Sequence, residues 1–287
     1  LYIRFTSNSL AIHLRWVPLT NKTMSHMTDT GTKGLDLYGL TEEGWRFVRS
    51  ARPKEGLKKG EVQTAKLVCG KVEREYMLYL PLYDGLASLE IGVEEGAFIK
   101  APSVETPSND KPVIMYGSSI LQGGCCSRPG MAHTNILARK IDRTVINLGF
   151  SGSGRAEQVM CDYLAGLDMS IFVCDYDHNA VDPAYLRQTH EPIYRAVRAN
   201  HPDVPILFLT RPSVVPLGER EERLAVIKAT YDKAVAEGDK NVYFINGQDI
   251  FNHIDSDVMT CDGCHPNDFG FWCMAEVIGD AVKKVLK

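Results

Sequence analysis

Two stretches of this 287-residue chain carry residue types and spacings that suit nucleophilic chemistry. In "YGSSILQGG", residues 116–124, two serines follow the apolar run "VIM" and precede a turn through glycines. In "DGCHPND", residues 262–268, Asp262 and His265 stand three residues apart in a turn stiffened by Pro266. A serine nucleophile needs a base to take its proton, a carboxylate to hold that base in the right tautomer, and N–H donors aimed at the developing oxyanion. Ser119, His265 and Asp262 are candidates for the first three roles. A serine at a strand end also caps the backbone that follows, the commoner fate of a Gly-Ser-Ser tripeptide, so Ser119 gains weight only from its partners.

The Asp-x-x-His spacing occurs twice, because Asp175 and His178 in "DYDH" repeat it. That second copy follows an apolar strand directly and is followed by Asn179, which suggests a different role. The oxyanion donors are sought at the ends of neighbouring strands. "NLGFSGSG", residues 147–154, brings a backbone N–H close to substrate because Gly152 has no side chain, and Asn179 presents a side-chain amide. Taken singly, the glycines read as a tight strand-to-helix turn and Asn179 as a turn cap. Jointly, four candidate pieces follow four sheet elements in one order: Ser119, Gly152, Asn179, then Asp262 with His265.

The elements that must position these residues are visible in the hydrophobic pattern. Up to about residue 100 the period is two: Leu10, Ile12, Leu14 and Trp16, then Tyr76, Leu78 and Leu80, then Leu89, Ile91 and Val93. Such alternation predicts strands with one buried face and hence a β-sandwich. "APSVETPSNDKP", residues 101–112, has the composition of a connection and places a domain boundary between 1–105 and 106–287. Beyond it, the apolar strands "VIMY", "VINLGF", "IFVC", "PILFLT" and "VYFI" alternate with amphipathic segments. One such segment carries Leu224, Ile227, Tyr231, Ala234 and Val235, and the last carries Phe271, Met274, Ala275, Ile278, Val282 and Val285. Continuously apolar strands separated by helices imply an α/β unit with a parallel sheet covered on both faces, whose ligands bind at the carboxyl ends of the strands.

These residues and their order resemble the SGNH, or GDSL-type, hydrolase superfamily. Its Gly-Asp-Ser-Ile/Leu block stands here as Gly117, Ser118, Ser119 and Ile120, with Ser118 in place of the usual Asp. Its second block matches Asn147, Gly149, Ser151 and Gly152, and its Asp-x-x-His-Pro block is complete in Asp262, His265 and Pro266. The third block departs: Asp177, His178, Asn179 and Ala180 keep only the Asn. "GLDLY" (34–38), "REYMLYLPLYDGLASLEIGV" (74–93) and "GGCCSRPGM" (123–131) extend the likeness to the subgroup with an N-terminal Gly-x-Asp-Leu-Tyr β-domain. The resemblance implies a flavodoxin-like three-layer domain behind a jelly-roll-like sandwich. It implies Ser119, Asp262 and His265 as catalytic residues, an oxyanion hole of Ser119, Gly152 and Asn179, and a substrate pocket touching Ser118, Arg128 and His178. The implied activity is hydrolysis of a carboxylic ester in a small-molecule or oligosaccharide substrate, with deacetylation of a sugar first, and no metal or organic cofactor. A lipid or thioester acylhydrolase is the alternative within enzymes; a carbohydrate-binding protein with a decayed site, which the altered Asn179 block keeps open, is the alternative outside them.

Other chemistries fit less well. Gly117-Ser118-Ser119-Ile120-Leu121 lacks the second glycine of a nucleophile elbow, and the only Ser-x-x-Lys, Ser108 to Lys111, sits in the connection. A formal charge of -4 with scattered lysines and arginines gives no footprint for nucleic acid, and no apolar run is long enough to span a bilayer. Eight cysteines are spread over a chain too large to need staples. "CDGC" (261–264) and the pair Cys125 and Cys126 lie on the two loops that converge if Ser119 meets His265. Free thiols, a disulfide between those loops, and a zinc half-site including His265 all remain readings of them; a ligated His265 is unable to act as base. The chain opens at Leu1 in a strand-like pattern, and export is favoured over a cytoplasmic location.

Overall fold

A computed structural model describes residues 1–102, 111–212, 219–251 and 256–286. The boundary expected at residue 105 lies outside the described residues. Eight strands come first: β1 (Tyr2–Ser7), β2 (Ala11–Pro18), β3 (Leu35–Thr41), β4 (Gly44–Ala51), β5 (Gln63–Val68), β6 (Arg74–Tyr79), β7 (Leu86–Val93) and β8 (Ile99–Lys100). They form two antiparallel sheets, ordered β4-β3-β6-β1-β8 and β5-β2-β7. Phe5, Leu35, Leu37, Tyr76 and Leu78 from the first sheet meet Ile12, Leu14, Trp16 and Leu67 from the second in one buried core, which makes a β-sandwich. A short helix, α1 (Asp29–Lys33), interrupts the strands; Thr28 caps it by accepting from the Gly31 N–H.

The alternation is cleanest in β2, where Ile12, Leu14 and Trp16 are buried and Arg15 is exposed, while Leu10, before the strand, is 47% exposed. β6 departs from it, with Glu75, Met77 and Tyr79 as buried as Tyr76 and Leu78. The physical reason is a second covering layer. Tyr38 and Tyr79 on the outer face of the five-stranded sheet pack edge to face, and the Arg139 guanidinium lies 4.2 Å from the Tyr38 ring centroid.

That covering layer belongs to a second unit built on β9 (Val113–Gly117), β10 (Val145–Gly149), β11 (Ile171–Asp175), β12 (Ile206–Leu209) and β13 (Val242–Ile245). All pairings are parallel and the order is β10-β9-β11-β12-β13, so the first strand lies between the second and third. Among the described residues six α-helices accompany them: α2 (Ser119–Gln122), α3 (His133–Ile141), α4 (Gln158–Ala165), α5 (Pro183–Asn200), α6 (Arg220–Ala236) and α7 (Asp268–Val285). Val113, Met115, Val173 and Leu207 face a core with Leu137 of α3 and Phe271, Met274 and Ile278 of α7. The alternate residues Ile114, Tyr116, Phe172 and Phe208 face α4, α5 and α6. Both sheet faces are therefore covered, which explains the unbroken apolar strands.

The apolar face of α7 is buried as expected. In α6 the inner face is rotated, with Arg223, Val226, Ile227, Thr230 and Ala234 inside and Val235 46% exposed. Arg223 turns inward because its guanidinium donates to the carbonyls of Asp177 (2.7 Å) and Ala180 (3.0 Å), capping the loop after β11. Among the described residues no helix is long and apolar enough to cross a membrane.

Candidate active site

The sheet order puts a crevice at the carboxyl ends of β9, β10 and β11, where the order reverses. Ser119 begins α2 immediately beyond β9 and is half-buried. Across from it, α7 is preceded by a tight turn that carries Asp262 and His265; the His265 carbonyl accepts from the Cys261 N–H at 2.9 Å, and Asn267 caps the helix. The two loops meet. Ser119 Oγ lies 2.9 Å from His265 Nε2, and His265 Nδ1 lies 2.8 Å from Asp262 Oδ2. Asp262 Oδ1 also accepts from the N–H groups of Cys264 (3.0 Å) and His265 (2.7 Å). Partial burial pushes this carboxyl up, but the backbone and imidazole donors outweigh it and hold its pKa down to about 2. It therefore stays ionised opposite Nδ1 at neutral pH, which fixes a proton on Nδ1 and leaves Nε2 free to accept from the serine.

The expected oxyanion donors lie in the same crevice. Gly152 sits in the exposed loop after β10 at φ +72°, and a side chain there would meet open space; glycine is required by the backbone conformation, not by crowding. Asn179, in the loop after β11, donates through Nδ2 to the Phe150 carbonyl at 2.8 Å, which ties it to the Gly152 loop. Among the described residues, the backbone N–H groups of Ser119 and Gly152 donate to no other group.

Two assignments need correction. Ser118 is fully buried and its hydroxyl accepts from the Ile120 N–H at 3.2 Å; it caps α2 and does not face a pocket. Arg128 points into the seam between the two units, where it donates to Asp36 Oδ2 (2.9 Å) and Tyr38 Oη (2.7 Å) and stacks 3.8 Å from the Phe47 ring centroid. His178 is not paired with Asp175: Nδ1 faces Cys264 Sγ at 3.8 Å, Nε2 has no partner among the described residues, and burial drives its pKa down to about 4. Asp175 is wholly buried, and burial beside Asp177 pushes its carboxyl well above the usual range, so the second Asp-x-x-His is no second dyad.

The sandwich supplies groups that sequence reasoning missed. Tyr83 Oη donates to the Ser119 carbonyl at 3.2 Å, and a Cβ on Gly124 would come within 2.7 Å of that hydroxyl and 3.2 Å of His265 Cδ2. The His26 ring lies 5.3 Å from the His265 ring, centroid to centroid. Thr28 Oγ1 donates to the Ser127 carbonyl (2.6 Å) and Ser127 N–H to Asp268 Oδ1 (2.8 Å), so the segment carrying His26 is fixed to both loops of the dyad. No motif surrounds His26 in "KTMSHMTDT", and its position depends on docking between units. All eight cysteines are free thiols, and Cys125 is placed against Cys261. Burial, with Cys261, Asp262 and Cys264 nearby, pushes the Cys125 thiol up to about 12.

Comparison with known proteins agrees with this architecture. Residues 110–287 match the family model described as GDSL-like Lipase/Acylhydrolase family, and residues 1–99 match the N-terminus of Esterase_SGNH_hydro-type. A protein from Bacteroides ovatus ATCC 8483, described as a GDSL-like lipase, is 35% identical with a TM-score of 0.88, over 99% of this chain and 84% of that one. A salicylyl-acyltransferase from a tetracycline biosynthetic pathway is 16% identical with a TM-score of 0.77, over 99% and 83%. A family two carbohydrate esterase from Clostridium thermocellum, in complex with cellohexaose, is 14% identical with a TM-score of 0.68, over 99% and 92%. No match was found among curated proteins.

Proposed function

The chain belongs to the GDSL-like lipase/acylhydrolase family of ester-hydrolysing enzymes, and on that premise we propose a serine esterase that removes acetyl groups from a carbohydrate. The observation that carries the chemistry is the hydrogen-bonded line Ser119 Oγ, His265 Nε2, His265 Nδ1, Asp262 Oδ2, with separations of 2.9 and 2.8 Å. His265 takes the serine proton as Oγ attacks the ester carbonyl, and Asp262 stabilises the imidazolium. The oxyanion is received by the N–H groups of Ser119 and Gly152 and the Asn179 amide. Collapse of the tetrahedral intermediate breaks the bond to the alcohol, which leaves with the proton from His265. Water, deprotonated by the same nitrogen, then attacks the acyl-serine, and a second collapse returns the proton to Ser119 and releases the acid.

The carbohydrate reading draws support from the comparisons. The whole two-unit architecture is shared with the cellohexaose-bound esterase. The test is acetate release from p-nitrophenyl acetate and acetylated xylo-oligosaccharides by the intact chain and by Ser119→Ala. Release from both substrates that is lost in the variant is expected; equal rates in the two proteins would overturn the serine mechanism, and release confined to the aryl ester would overturn the carbohydrate substrate.

A further inference from the structure

Four metal-type donors converge beside the dyad. His26, Cys125, Asp262 and His265 each present one ligand atom, and these atoms all lie within 4.8 Å of one another. Two imidazoles, a thiol and a carboxylate form a borderline-soft set suited to Zn2+, whose tetrahedral ligands sit about 2.0–2.3 Å from the metal. Small side-chain rotations bring donors so close together to that distance. The carboxylate is already ionised, and the thiol coordinates by releasing its proton to solvent. The step involves no electron transfer.

Two features make this more than a chance cluster. His26 is held in place from the sandwich side, because Thr28, two residues on, is bonded to the Ser127 carbonyl at 2.6 Å. Cys125 occupies left-handed backbone at φ +76°, which cysteine rarely adopts, directly after two glycines that would adopt it without strain. The ionised Asp262 carboxylate, one of the four donors, favours a cation beside the thiol.

We propose that His26, Cys125, Asp262 and His265 form a reversible inhibitory site for a thiophilic divalent cation, with Zn2+ the ion that fits best. The inference rests on His265 being the base of the proposed esterase. Coordination takes His265 away from Ser119 and Asp262 away from His265, so the metal-bound molecule is inactive and the cation is an inhibitor, not a cofactor. It also makes the activity depend on the sandwich, which contributes His26.

The test titrates the full chain, reduced with a non-thiol reductant and freed of metal, with Co2+ as a spectroscopic substitute. One equivalent is expected to give a thiolate-to-cobalt charge-transfer band that Cys125→Ser abolishes. In p-nitrophenyl acetate hydrolysis, the inhibition constant for Zn2+ is expected to rise at least tenfold in both Cys125→Ser and His26→Ala, each referred to its own metal-free rate. His26 is exposed, so its variant tests the site even if the cysteine variant folds poorly. A wild-type chain without the thiolate band, or equal Zn2+ inhibition in all three proteins, overturns the site. The cobalt band needs no turnover: an inactive chain that still binds cobalt through Cys125 would refute the esterase reading while supporting the metal site.

Discussion

Asn179 uses one of its two amide hydrogens to hold itself in place, on the Phe150 carbonyl at 2.8 Å, which leaves the other for the oxyanion in the proposed mechanism. Replacing it with alanine removes a preorganised donor, and kcat for ester hydrolysis should fall roughly 100- to 1,000-fold with KM little changed. Steady-state kinetics of Asn179→Ala check this, and an unchanged kcat removes Asn179 from the oxyanion hole. The legibility of the site follows the same local logic. Asp262 and His265 were readable because three residues of turn bring the carboxylate to Nδ1 without help from the rest of the fold. Ser118 misled because serine satisfies a helix cap as readily as it faces substrate, and Arg128 because its partners, Asp36 and Tyr38, lie about ninety residues away across the seam. His26 and Tyr83 carry no local signal, since only docking of the sandwich brings them to Ser119 and His265.

Among the elements, β3 shows how that docking is built. Along "GLDLY" the pleat sends Leu35 and Leu37 into the sandwich core and Asp36 and Tyr38 to the opposite face. Asp36 is fully buried there and accepts from Gly130 N–H (2.7 Å), Arg128 Nη1 (2.9 Å) and Ser50 Oγ (2.6 Å). One carboxylate thus organises the loop that runs from Cys125 to Met131, past α2 and Ser119. Period-two reasoning marked no strand here, and "GLDLY" entered only as a motif, because burial of both faces is a property of the partner layer. Asp36→Ala leaves three donors unmet, one of them a buried backbone N–H, and should destabilise the protein by about 3 kcal/mol, the low end for breaking a buried pair because Arg128 keeps some solvent access. Urea denaturation checks the loss. A variant as stable as the wild type would mean that the seam is held by its aromatic contacts instead.

At the scale of the whole molecule, buried histidines contribute to the response to acid. His133 is wholly buried, stacks on Phe271 with ring centroids 5.5 Å apart, and has neither ring nitrogen bonded among the described residues. Burial lowers its pKa from 6.5 to about 3, and likewise lowers that of His190, packed between Tyr176 and Phe208, to about 4. Between 6.5 and those values the unfolded chain binds protons that the native state refuses, so stability falls as pH drops through this window and is flat above it for these groups. Each histidine contributes a slope of roughly 1.4 kcal/mol per pH unit well inside the window. Asp175 works in the opposite sense, since its raised carboxyl is protonated in the native state and acid favours it, so the total slope of the wild type is not diagnostic. The difference between wild type and His133→Phe isolates the histidine: the substitution keeps an aromatic ring against Phe271 and removes the titrating group. Its stability relative to wild type should rise steadily below neutral pH, by roughly 1.4 kcal/mol per unit, as read from urea midpoints. A difference that stays constant with pH would mean that His133 charges in the folded protein, and that the core between α3 and α7 admits water.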